Sequence, residues 1–210
     1  MDYTKEQIAN VLDLAVLKPT TGLEEVAEAC KLANEHGIKS VCVSPFYVEA
    51  ATQFFHNIST VIGFPHGRTT VKYVEADRAI HDGAKELDVV INYGAFLEEE
   101  PGLVAAELKN IVRLAHQHNV LVKAIIEASV YAYKIQIEEV CRLCDGCNVD
   151  MIKSSTGFFG DPDLAAIEVM LDSGVPVKVS GGIKSYEQVR TYLDMGCVRI
   201  GSSKFWELLP

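Results

Sequence analysis

Short apolar runs recur along this chain, and longer amphipathic stretches fill the gaps between them. The runs are Leu12–Leu17 (broken only by Asp13), Ser40–Val43, Thr60–Phe64, Leu87–Ile91, Val120–Ile126, the pair Met151-Ile152 leading into Lys153, the stretch from Pro176 through Lys178, and Val198–Gly201. Their continuous rather than alternating apolar character is that of strands covered on both faces. The intervening segments carry helical periodicity. They are Lys5–Val11, Leu23–His36 stopping at Gly37, Pro45 to about His56, Val71–His81, Leu103–His118, Lys134–Leu143, Pro162–Leu171, Tyr186–Leu193 and a short segment at the C-terminal end. Eight strands alternating with helices predict an α/β fold, a (β/α)8 TIM barrel preceded by a short N-terminal helix. At 210 residues the chain sits toward the short end of that fold's range. An open doubly wound sheet is the rival, but no Gly-x-Gly-x-x-Gly follows the first strand.

Composition narrows the setting. With 49% hydrophobic and 23% charged residues, residues 1–210 read as a single domain with a substantial core. A net charge of −10 argues against nucleic acid or an anionic membrane as partner. It also means that an anionic substrate must be held by local cations. The segment MDYTKEQIAN has no apolar signal region, and no later run reaches the length of a membrane span. Six cysteines without a secretion signal suggest reduced thiols in the cytoplasm. Cys141, Cys144 and Cys147 have a metal-like spacing, but the first two lie i,i+3 on an amphipathic helix with no fourth ligand nearby. Packing is therefore the expected role, and no metal site is predicted.

Polar residues inside the apolar runs carry the candidate chemistry. Lys153 ends one strand and is followed by Ser-Ser-Thr-Gly; Lys178 ends another and is followed by Val-Ser-Gly-Gly. They lie 25 residues apart, the spacing of one strand-helix-strand unit, so they are expected on neighbouring strands about 4.8 Å apart. Two ammonium groups that close cannot both stay fully charged, and a neutral amine is a nucleophile toward carbonyls. Asp13, Cys42, Asp88 and Lys123 are the other reactive residues within strand segments. Three lysines and two aspartates converging on one barrel mouth would neutralise one another. Gly181-Gly182 after the seventh strand and Gly201-Ser202-Ser203 after the eighth supply backbone N–H groups and hydroxyls for an anion. Ser202 and Ser203 are also expected to open the short C-terminal helix.

In order and spacing, Leu12-Asp13-Leu14, Val41-Cys42-Val43, Gly63-Phe64-Pro65-His66-Gly67, Glu86-Leu87-Asp88-Val89-Val90, Leu121-Val122-Lys123-Ala124-Ile125-Ile126-Glu127, Ile152-Lys153-Ser154-Ser155-Thr156-Gly157, Val177-Lys178-Val179-Ser180-Gly181-Gly182 and Gly201-Ser202-Ser203 resemble the deoxyribose-phosphate aldolase family. The resemblance covers nearly the whole chain. It implies an aldehyde-lyase needing no metal or other cofactor, a class I aldolase that reversibly cleaves 2-deoxy-D-ribose 5-phosphate to D-glyceraldehyde 3-phosphate and acetaldehyde. It implies Lys153 as the Schiff-base lysine, Lys178 as the charge that depresses its pKa, and Asp88, acting through a water, as the proton carrier. Lys123 would keep Asp88 ionised. Asp13 and Cys42 would border the sugar hydroxyls, Gly157, Gly181, Gly182, Ser202 and Ser203 would hold the phosphate, and Thr156 and Gly201 would also bind the substrate. A homo-oligomer, dimer or tetramer, is also implied. Two other readings share these residues: another class I sugar-phosphate aldolase on the same barrel, and a non-catalytic barrel that binds a sugar phosphate. The chain departs from the family at Ala15, where a threonine is usual, and at Ala128–Tyr133, where a Thr-Gly turn is common. It also ends at Pro210 without the tyrosine-bearing tail of some members.

Overall fold

A computed structural model describes residues 2–210; Met1, part of the predicted 1–210 domain, lies outside them. Eight parallel strands close into a barrel in sequence order: β1 Leu12–Val16, β2 Ser40–Val43, β3 Ile58–Ile62, β4 Glu86–Val90, β5 Leu121–Ile125, β6 Met151–Lys153, β7 Val177–Ser180 and β8 Arg199–Ser202. β8 pairs with β1 to complete the ring, with Asp13 opposite Gly201. Apart from Leu121, every residue of β2, β3, β4, β5, β7 and β8 is buried, as strands wrapped by helices must be.

Helix α1, Lys5–Ala9, is capped by Thr4, whose hydroxyl accepts from Gln7 N while the Gln7 side chain accepts from Thr4 N. The helix buries Ile8 and Ala9. Helix α2, Leu23–His36, has the predicted bounds and ends at Gly37. The remaining helices are α3 Val48–Ala51, α4 Thr69–His81, α5 Tyr93–Leu97, α6 Pro101–Gln117, α7 Lys134–Asp145, α8 Leu164–Asp172 and α9 Tyr186–Met195. Among the described residues none is long and apolar enough to cross a membrane.

Several boundaries differ from expectation for local reasons. The third strand begins two residues earlier, at Ile58, and ends before Gly63, whose φ of 65° leaves the strand region. The stretch from Pro45 to His56 forms only a 3₁₀ turn, Pro45–Tyr47, and the one-turn α3. Helix α5 was not anticipated; the Asn92 side chain caps it by accepting from Ala95 N at 3.1 Å. Helix α8 starts at Leu164 rather than Pro162, because the Asp163 carboxylate accepts from Ala165 N. The C-terminal helix is a 3₁₀ turn confined to Trp206–Leu208, so Ser202 and Ser203 do not open it.

Two inter-element contacts steady the strand that carries Asp88. Lys72 of α4 is wholly buried; its Nζ pairs with Glu107 of α6 at 2.8 Å and donates to Val90 O at the end of β4 at 2.6 Å. Cys141 and Cys144 of α7 lie in the core among aliphatic side chains, with Cys147 just beyond; burial pushes the Cys141 thiol up to about 12.

Candidate active site

The side-chain period of two along a strand puts Glu86 and Asp88 on one face of β4, and Arg199 and Gly201 on one face of β8. The closed ring turns those faces inward with Asp13 of β1, Cys42 of β2, Lys123 of β5, Lys153 of β6 and Lys178 of β7. Register pairs Asp88 with Lys123, Lys153 with Lys178, and Lys178 with Arg199. The outcome is one buried cluster of seven charged side chains at the barrel's centre.

Asp88 is its hub. Oδ1 accepts from Lys123 Nζ at 2.8 Å, while Oδ2 accepts from Lys153 Nζ at 2.8 Å and from Lys178 Nζ at 2.7 Å. Asp88 therefore touches Lys153 directly. Lys178 also pairs closely with Asp13 Oδ2, which lies 3.2 Å from Lys123 Nζ. Lys123 meets Glu86 at 2.5 Å. Arg199 Nη2 donates to both Glu86 oxygens, and its Nη1 faces Asp13 Oδ1 at 2.9 Å. Gly201 makes this packing feasible, since a Cβ there would lie 2.9 Å from Ser180 Cβ and 3.2 Å from Lys178 Cε.

Electrostatics separates the three lysines. Burial pulls the Lys153 ammonium below its ordinary range; Asp88 opposes that pull, and the Lys178 charge adds to it. Burial is thus the larger cause of the depression and the Lys178 charge the smaller. For Lys178 the attraction of Asp13 and Asp88 outweighs burial and raises its pKa. For Lys123 the attraction of Asp13, Asp88 and Glu86 outweighs burial by more, holding the ammonium well above its ordinary range. Burial works against the Asp88 carboxylate, but the three lysines overcome it and hold its pKa well below normal. Asp13 is held down to about 2 against burial, by Lys123, Lys178 and Arg199. Burial raises the Cys42 thiol, so this cysteine is not an activated thiolate.

A cleft of about 820 Å³ opens above the carboxyl ends of the strands. Asp13, Cys42, Lys153, Lys178, Thr156, Gly157, Gly181, Gly182, Gly201, Ser202 and Ser203 all line it; Asp88 and Lys123 lie beneath. Lys153 is 5% exposed against 1% for Lys178 and 0% for Lys123, so the lysine with the depressed pKa is also the most open of the three to a small molecule.

Two of the residues expected to bind the substrate are already engaged. The Thr156 hydroxyl donates to Glu127 Oε2 and accepts from Phe158 N at 3.3 Å. Ser202 Oγ donates to Ile183 O at 2.7 Å and accepts from Lys204 N at 3.0 Å, so its hydroxyl holds two loops together. The free N–H groups around Gly181-Gly182 and the Ser203 hydroxyl remain available to an anion.

Sequence reasoning passed over Glu86, Arg199, Glu127, Lys184 and Lys204. The first two share a strand face with Asp88 and Gly201, and that period-two spacing was the available signal. Lys184 and Lys204 line the cleft immediately beyond Gly181-Gly182-Ile183 and Ser202-Ser203, adjacency that marks them as local cations. Glu127 is fully buried in a left-handed conformation (φ 54°, ψ 62°), and it ties the loop after Lys153 by accepting from Thr156 N at 3.0 Å.

A family model for DeoC/LacD family aldolases matches residues 7–203. A deoxyribose-phosphate aldolase from Caldicellulosiruptor saccharolyticus is 36% identical over 211 aligned positions, spanning 95% of this chain and 96% of the relative. Among solved structures, the aldolase QR15 superposes with a TM-score of 0.90 at 34% identity, covering 96% of this chain and 93% of the other. A tetrameric deoxyribose phosphate aldolase from Aeropyrum pernix gives a TM-score of 0.89 at 27% identity, covering 98% and 90%.

Proposed function

The chain belongs to the DeoC/LacD family of aldolases, and from that premise we propose that it is a class I aldolase that reversibly cleaves 2-deoxy-D-ribose 5-phosphate to D-glyceraldehyde 3-phosphate and acetaldehyde. The observation that carries this reading is the unequal treatment of Lys153. It alone of the three lysines combines a depressed pKa, a single carboxylate oxygen as partner and a face open to the cleft. Such an amine gives up its proton more readily than its charged neighbours and exposes a nucleophilic lone pair before they do.

The open-chain sugar presents its aldehyde carbon to Lys153 Nζ. Attack gives a carbinolamine, and loss of water gives an iminium. Removal of the proton from the C3 hydroxyl breaks the C2–C3 bond, its electron pair moving into the iminium to leave an enamine. Glyceraldehyde 3-phosphate departs, the enamine takes a proton at carbon, and hydrolysis returns acetaldehyde and free Lys153. Asp88, in hydrogen-bond reach of Lys153 and Lys178, hands protons between the amine, water and substrate. Lys178 stays charged beside the iminium nitrogen and supplies a donor, and Lys123 keeps Asp88 anionic. Asp13 and Cys42 border the sugar hydroxyls. Gly157, Gly181, Gly182, Gly201 and Ser203 receive the phosphate with Lys184 and Lys204, against a net charge of −10. Thr156 and Ser202 shape that seat through the bonds described above.

We further propose that residues 1–210 act as one catalytic domain and that the protein is a cytoplasmic homo-oligomer. The six free thiols fit a reducing compartment, and the Aeropyrum pernix relative is tetrameric. Light scattering on the purified protein measures its assembly. The catalytic reading is tested by mixing the protein with acetaldehyde and borohydride and mapping the product by peptide mass spectrometry. An N-ethyl group on Lys153 and on no other lysine is expected. A Lys153→Ala variant that kept full aldol activity would rule the scheme out.

A further inference from the structure

The barrel interior holds four basic side chains (Lys123, Lys153, Lys178, Arg199) and three acidic ones (Asp13, Glu86, Asp88), all buried. β2 adds only the Cys42 thiol, and β3 adds no titratable group. Above the strands, the Glu127 carboxylate is occupied by Thr156. The formal count is one cation in excess, and buried excess charge is costly, so one proton is under pressure to leave. Arginine cannot release it, because a guanidinium stays protonated in proteins. The loss must fall on a lysine. Lys123 meets three carboxylates and Lys178 two, whereas Lys153 meets one oxygen of Asp88 that it shares with Lys178. Lys153 is the least compensated.

We propose that Arg199 is a positioning residue for the reaction: its guanidinium, fixed on Glu86 and Asp13, places the excess charge in the barrel that strips the proton from the amine of Lys153. Arg199 touches neither the cleft nor Lys153. It acts by claiming the Glu86 carboxylate and one side of Asp13, leaving the three lysines with less negative charge than they need. This inference rests on the reading of Lys153 as the Schiff-base amine.

The test compares the pH dependence of kcat/KM for 2-deoxyribose 5-phosphate in wild type, Arg199→Met, Arg199→Lys and Glu86→Gln, all as the full chain. Arg199→Met removes the excess. Arg199 sits two strands from Lys153, about 10 Å at about 4.8 Å per strand, so the variant's acid limb should move up by about one pH unit, which is about a tenfold loss on the acid side. Arg199→Lys keeps the charge and should keep the wild-type limb. Glu86→Gln enlarges the excess and should move the limb the opposite way, to lower pH. Opposite shifts from two residues in contact are not what loss of packing produces.

An unmoved limb in Arg199→Met, or equal displacement in Arg199→Met and Arg199→Lys, overturns the proposal. Should Arg199→Met fail to fold, Glu86→Gln decides: a downward shift supports the proposal and an unmoved limb refutes it. Borohydride trapping on wild-type Lys153 separates the two levels. Trapping elsewhere defeats the aldolase reading itself, while trapping at Lys153 with static limbs defeats only the role of Arg199.

Discussion

Replacing Lys178 by methionine keeps the length of the side chain and deletes its charge. Lys178 and Lys153 donate to the same Asp88 oxygen, at 2.7 and 2.8 Å, which places the nitrogens about 4 Å apart. At an effective dielectric of 20, two unit charges at that distance repel by about 4 kcal/mol, or about three pKa units on Lys153. The deletion also frees Asp88 Oδ2 to attract Lys153 alone, which acts in the same direction. The acid limb of kcat/KM should therefore rise by about three units, and activity near pH 7 should fall about a thousandfold. Much of the loss should return near pH 10, where the amine is again free. The assay is a pH–rate profile from pH 5 to 10, with circular dichroism to establish that the variant is folded. An acid limb within half a unit of wild type, or no recovery at high pH, would refute the reasoning.

Other consequences are equally direct. Asp13, held at about 2 against an ordinary 3.8, has a depressed folded-state pKa. Its contribution to stability is complete above pH 3.8 and is lost as pH falls through about 2. The shift corresponds to about 2 kcal/mol; a ¹³C carboxyl titration placing the Asp13 midpoint near 3.8 would contradict it. Gly182 has φ 65°, and a Cβ there would collide with the Asp161 carboxylate. Gly182→Ala should raise KM for the phosphorylated sugar about tenfold while leaving unphosphorylated 2-deoxyribose turnover within about twofold, and steady-state kinetics on the two sugars reads out both.

The barrel was legible because its strands are apolar on both faces and because each reactive residue interrupts such a run. Lys153 and Lys178 stood out because glycines and small hydroxylated residues follow each of them. Glu86 and Arg199 were less legible because they open their strands, where a charge ordinarily reaches solvent. Only closure of the ring, with Glu86 two residues before Asp88 and Arg199 two before Gly201, turns them inward. Lys72 and Glu107 were hidden for a different reason. They sit on amphipathic helices more than thirty residues apart, and only packing of α4 against α6 makes each the other's counter-ion. Helix α5 and the 3₁₀ turn at Trp206–Leu208 depend on local capping and steric detail that periodicity does not register.

The account depends on which of three clustered amines is uncharged. ¹⁵N spectroscopy of protein labelled at lysine Nζ, with Lys153, Lys178 and Lys123 assigned by substitution, measures this without substrate. Near pH 8 the account predicts an amine-like signal for a substantial fraction of Lys153 and ammonium signals for Lys178 and Lys123. An ammonium at Lys153 that persists to pH 10, or a neutral Lys178 beside it, would contradict the account.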